Sequence, residues 1–199
     1  MNKKNSMAGI VLMTLLLILS GCGELGGAPG SDSGDTGILI KSVSIIGEEP
    51  AGGDNEIDAA LHLCPPAFTE IEQGLFIANA TMTINASATG FDPFPASIEH
   101  CDITYLKGNE SPDAPIIERA TIYPNCTLVE DEANECNVVM MDIDRKVKWW
   151  EDVNSINNFP HTYPTPYTVK YDCTYINNYG KSGTFQIEYD ILLADWNYC

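Results

Sequence analysis

An all-β fold, an antiparallel sandwich of about seven strands with loop insertions, is the class this chain predicts. Three observations predict it. From Ile38 onward, apolar residues recur at every second position, the period of a half-buried strand. Short runs rich in Gly, Asn and Asp separate these stretches. Six cysteines, from Cys64 to Cys199, lie in the same region, an even set that suits disulfide stapling in an oxidising compartment.

The elements follow in order. Ile38–Ile46 is rich in β-branched residues and reads as a first strand. Gly47–Gln73 is an insertion containing Cys64-Pro65-Pro66, with a short helix expected at Ala67–Gln73. Ala78, Ala80, Met82, Ile84 and Ala86 alternate with Asn79, Thr81, Thr83 and Asn85, so Ala78–Ala86 is a strand with one polar face. Ile98–Leu106 places Cys101, Ile103 and Tyr105 on one face. Ala120–Leu128 and Cys136–Ile143 are two more expected strands, with a hairpin between them around Glu130–Ala133. Arg145–Pro166 is a second insertion, with a helical turn through Trp149-Trp150 and then a Pro-rich stretch. Tyr167–Ile176 lines up Val169, Tyr171, Cys173 and Tyr175, and Thr184–Leu193 lines up Phe185, Ile187, Tyr189, Ile191 and Leu193. The Gly- and Asn-rich run 177–183 joins these two as a hairpin.

The segment Tyr171-Asp172-Cys173 and the hairpin that follows resemble the end of immunoglobulin-like and fibronectin-like domains. In those domains a Tyr two residues before a Cys closes a corner of the penultimate strand. Two features depart from that pattern: Ala78–Ala86 holds no Cys to pair with Cys173, and Ile98–Leu106 holds no Trp. The resemblance implies an Ig-like architecture without fixing a family. It also makes the strands of Cys101 and Cys173 sheet neighbours, and so pairs those two residues. The expected hairpin pairs Cys126 with Cys136, which leaves Cys64 with Cys199. Six cysteines allow 15 connectivities, so this is a ranking among them.

The N-terminus carries a different signal. Lys3 and Lys4 precede Met7–Leu19, 13 uncharged residues, too few for a spanning helix of about 20. A basic start, a short apolar run and small residues at its end read as an export signal. Leu19-Ser20-Gly21-Cys22 resembles the lipobox of bacterial lipoprotein precursors. The resemblance implies cleavage before Cys22, lipidation of Cys22 and membrane attachment, with Gly23 favouring the outer over the inner membrane. The expected organisation is a signal peptide over 1–21, a lipidated end and flexible tether over 22–37, and one disulfide-stapled domain over 38–199. Residues 23–37 include six glycines, and such a tether has a root-mean-square reach of about 20–25 Å.

Charge narrows the partners. The chain has 10 Lys plus Arg against 28 Asp plus Glu, a net charge of −18, and loss of Lys3 and Lys4 on cleavage deepens it to −20. Such a body repels nucleic acid phosphates and is held off an anionic membrane surface. No nucleophile motif or phosphate-cradling loop accompanies His62, His100 and His161, and no metal site or cofactor is expected. His100 and Asp102 share an outward strand face. The acid clusters Glu48/Glu49/Asp54/Glu56/Asp58, Glu130/Asp131/Glu132/Glu135 and Asp142/Asp144 could supply oxygens to Ca²⁺ but lack the spacing of the EF-hand loop. The basic-aromatic cluster Arg145, Lys146, Lys148, Trp149 and Trp150 gives the candidate partner-binding residues. The competing expectation is that the tryptophans plug one end of the sandwich while the bases stay in water. The functional expectation is therefore a lipid-anchored, non-enzymatic envelope module for a protein or glycan partner. The alternatives are a Ca²⁺-dependent adhesion module and a hydrolase with a site built from loops.

Overall fold

The computed structural model describes residues 36–48, 55–59, 63–64, 70–71, 77–155, 160 and 162–195. The strands are β1 (Ile38–Gly47), β2 (Glu56–Asp58), β3 (Leu63–Cys64), β4 (Glu70–Ile71), β5 (Ala78–Ala88), β6 (Ala96–Lys107), β7 (Ala120–Ile122), β8 (Thr127–Leu128), β9 (Ala133–Met141), β10 (Thr165–Ile176) and β11 (Ser182–Ala194). One helix, α1 (Ile143–Asn154), lies between β9 and β10.

The fold is all-β and sandwich-like. Of the two larger sheets, one has the order β1-β5-β9 and the other runs β2-β11-β10-β6-β7, with β8 also on β6; β3 and β4 pair apart as a two-stranded sheet. The neighbours of β10 are β6 and β11, as in the Ig-like order in which the penultimate strand lies between the third and the last. Alternation dictates which faces meet. Ala78, Ala80, Met82, Ile84 and Ala86 are all buried, as are Tyr167, Val169, Tyr171, Cys173 and Tyr175. They form one continuous core with Ile38, Ile40, Ile103, Phe185 and Leu193.

Buried tyrosines link the two sheets. The Tyr105 hydroxyl donates to the Met140 carbonyl at 2.7 Å, and that of Tyr171 donates to the Val139 carbonyl at 3.1 Å. Both acceptors are on β9, across the core. Tyr171 sits in the middle of β10 and binds the opposite sheet, so it does not close a corner near a strand start.

Two disulfides join the pairs expected. Cys101 and Cys173 face each other in the β6–β10 register, Cα–Cα 4.0 Å. Cys126–Cys136 also forms, but the hairpin expected around it does not exist. β8 pairs with β6 and β9 pairs with β5, so this bridge ties one sheet to the other. The expected Cys64–Cys199 bridge lies outside the described side chains, as do Cys22, His62 and His161.

Other expectations are corrected. The first insertion holds strand β4 at Glu70–Ile71 where part of a helix was expected. β2 adds to β11 in parallel, so the sheet is mixed. Ala120–Leu128 is two short strands, β7 and β8, because Pro124 cannot donate to a ladder. Cys136–Ile143 begins earlier, at Ala133, and stops at Met141 because Asp142 caps α1.

Candidate functional site

The helix expected as a single turn is twelve residues long. The Asp142 carboxylate accepts from the Arg145 backbone N–H at 3.0 Å, a standard N-cap. Lys148 and Asp152 pair at i,i+4, 3.0 Å apart, and this carboxylate holds the exposed Lys148 ammonium above its ordinary range. The buried face consists of Lys146, Trp149 and Val153, at the i, i+3, i+7 spacing of one helical stripe.

Opposite the helix, residues 108–119 form a strap. Gly108 sits hard against β10: a Cβ there would come within 2.8 Å of the Pro166 ring. The Gly108 N–H donates to the Pro166 carbonyl at 3.0 Å, and turns follow through Ser111 and Ala114. The strap is then pinned twice. The Trp149 indole N–H donates to the Tyr167 hydroxyl at 3.0 Å, which in turn donates to the Pro115 carbonyl at 2.8 Å. The Arg145 guanidinium donates to the carbonyls of Glu118, at 2.8 Å, and Arg119, and to the Asp142 carboxylate.

Between strap and helix run two adjoining clefts of about 310 and 460 Å³. Ile116, Glu118 and Lys148 line both. Ile116 is 77% exposed, an apolar side chain standing over a rim of mixed charge that includes Lys107, Asp113 and Asp144.

This geometry sorts the five residues singled out from the sequence. Trp149 is 1% exposed and Lys146 is fully buried, so neither presents a surface to a partner. Trp149 plugs the end of the sandwich. Lys146 departs from the expectation that all the bases stay in water, because the helical stripe carries it inward with Trp149. Arg145 lines a cleft, yet its guanidinium is engaged within the chain. Trp150 is partly buried against the core. Of the five, Lys148 is the one that offers an exposed charge at the groove. The sequence reading missed Ile116 and the strap. The pair Ile116-Ile117, between Pro115 and Glu118, carries no periodic signal, and only exposure separates Ile116 from its buried neighbour.

The remaining candidates stay apart. His100 lies 3.9 Å from Glu99 and beside the Tyr123 ring, while Asp102 accepts from Thr121. Glu130 accepts from the Ala88 N–H, and Asp131 pairs with Lys41 at 2.6 Å. Among the described residues, no group of three or more His, Cys, Asp or Glu converges to hold a metal ion. Comparison with known proteins finds no match to a family model, to a curated protein or to a solved structure.

Proposed function

We propose that the chain is an exported protein, anchored in the envelope by lipid at Cys22, that acts as a non-enzymatic binding module through the groove beside Ile116. The observation that carries this reading is the opposed placement of tether and groove. Thr36, where the described chain begins, is held at the far end of β10 by Tyr175 and Asn177. The groove lies at the other end, against Lys107 and Tyr167. The 12 residues of β10 separate them, about 36 Å at 3.3 Å per residue. An anchor at one end turns the groove away from the membrane, and the acidity of the body favours the same orientation.

The lining favours an extended protein segment over a glycan. Ile116 gives an apolar anchor and Lys148 a charge. Trp149, the aromatic ring of that lining, is too buried to act as a stacking platform for a sugar. Gly23 after the modified Cys favours the outer membrane, and the two disulfides agree with an oxidising compartment.

Fractionation tests the anchor. Cys22→Ala should move the protein from the membrane to the soluble fraction, and an unchanged distribution refutes lipid anchoring. For the groove, a photo-crosslinking residue at Ile116 should yield a protein adduct that Lys148→Glu weakens. The same probe at Glu188, on the open sheet face, should yield none. Equal labelling at the two positions removes the groove from the reading.

A further inference from the structure

We infer that the tether-bearing end of the domain rests on the lipid surface through the rings of Phe91 and Tyr179. This rests on the lipid-anchor reading above and adds a second, non-covalent contact to it.

The first observation is where the chain leaves the domain. Gly37 takes φ +72 beside the 89–95 loop, and a Cβ on it would lie 3.7 Å from Pro93 and 3.9 Å from the Phe91 carbonyl. The Thr89 N–H donates to the Gly37 carbonyl at 2.9 Å. The described chain therefore begins beside Phe91, and fourteen residues, Cys22 to Asp35, precede it in sequence after the lipid-bearing position. A Gly-rich segment of this length has a root-mean-square reach of about 20 Å, so on the lipid-anchor reading this loop is held within a few nanometres of the bilayer.

The second is exposure. Phe91 is 78% exposed and Tyr179 59%. Their rings meet edge to face, centroids 5.9 Å apart at 77°. Rings at a membrane-facing tip suit the interfacial layer, where aromatic side chains concentrate.

The third is that the polar groups around these rings are turned inward. The Tyr179 hydroxyl donates to the Asp92 carbonyl at 3.0 Å. The Asn178 N–H donates to the Pro93 carbonyl at 3.2 Å, and its side-chain amide to the Phe94 carbonyl at 2.8 Å. Asp92 accepts from the Phe94 N–H at 2.9 Å. Groups already bonded cost less to bring into a dry interface.

Charge selects the lipid. Asp92, Glu130, Asp131 and Glu132 share this end with Lys41 and Lys181. Asp131 is paired with Lys41, and Glu130 is bonded to Ala88. With Glu24, Asp32 and Asp35 of the preceding segment, the excess is negative, which is tolerated by a zwitterionic surface and repelled by a strongly anionic one.

The test uses the mature chain in phosphatidylcholine vesicles whose acyl chains carry bromine, a short-range quencher of Trp fluorescence. Phe91→Trp and Ile116→Trp each add one reporter to the tryptophans common to both. The added emission at position 91 should fall by at least half, and that at 116 should not change. Replacing half of the phosphatidylcholine by phosphatidylglycerol should reduce the quenching at 91. Equal emission loss at the two positions overturns the contact. So does a blue shift of the position 91 reporter with rising protein concentration without lipid, which would mean that the rings pack on a second copy. Co-flotation with vesicles reports the anchor separately. The same chain held by a hexahistidine tag, replacing residues 1–21, on nickel-chelating vesicles keeps the contact test valid even where the lipid reading fails.

Discussion

Alkaline pH should dismantle this sandwich through its tyrosines. Burial raises the phenols of Tyr105, Tyr167 and Tyr171 well above their ordinary value of 10.0, outweighing the lowering by Arg145 at Tyr105 and by the Trp149 N–H at Tyr167. A phenol held neutral in the fold but free to ionise when unfolded contributes stability that is complete below pH 10. That stability drains as the pH rises above the unfolded value towards the folded one. At pH 11 the loss is about 1.4 kcal/mol for each such group, or about 4 kcal/mol for three, a large part of the roughly 5–15 kcal/mol that holds a typical domain together. Tyr171→Phe isolates one contribution. It deletes the hydroxyl that reaches the Val139 carbonyl, so at pH 8 the variant should be about 1 kcal/mol less stable. It also lacks one alkaline loss, so its stability curve should meet that of the wild type between about pH 10.5 and 11. Urea unfolding followed by circular dichroism across pH 8–11, without added thiol, measures both curves. A gap that stays constant over this range would refute the reasoning, because Tyr171 would then ionise as freely in the fold as outside it.

Three further outcomes follow from the packing. Asn134 is buried; its amide donates to the carbonyls of Ile84, Val129 and Glu132, and its oxygen accepts from the Val129 N–H. Asn134→Ala strands these groups and should cost about 2–3 kcal/mol in chemical denaturation. The two disulfides should differ in worth: Cys101–Cys173 closes a separation of 72 residues and Cys126–Cys136 one of 10, so Ala replacement of each pair should cost about 4 and about 3 kcal/mol respectively on loop entropy. Arg145→Gln should loosen the strap more than the domain, seen as faster hydrogen exchange over residues 108–119 with the β10 amides still protected.

The strands were legible where one periodic rule governs each residue. From Ala78 to Ser87 in β5 and throughout β10, buried residues alternate with more exposed ones, so the face assignments could be read directly. The rule fails where strand and helix meet. Asp142 follows buried Met141 and looks like the continuation of a strand, but it is the cap of α1. The stripe of Lys146, Trp149 and Val153 hides its helical period because a lysine occupies a core position. An N-terminal cap, an i,i+4 ion pair and apolar residues four apart were the available signals. The parallel strand β2 had none, since three residues cannot show a period and their partner, Leu192–Ala194, is more than 130 positions away.

Pairing of cysteines and assembly of the groove depend on distance rather than on period. Cys101 and Cys173 could be matched because both sit on long strands whose parity and adjacency follow from one topology. Cys126 and Cys136 were matched for the wrong reason: proximity in sequence stood in for a hairpin, while the chain in fact crosses between sheets after β8. The groove was less legible still. Its walls come from the strap and α1, and the link between them runs from Trp149 through the Tyr167 hydroxyl to the Pro115 carbonyl. The cluster Arg145 to Trp150 marked the right end of the molecule. Of its two expected roles, the end plug describes Trp149, while Lys146 goes inward where the bases were expected to stay in water. A side chain that satisfies backbone carbonyls, as Arg145 does, looks the same in sequence as one that waits for a partner. Only the acceptors around it distinguish the two, and those lie 26 and 27 residues away.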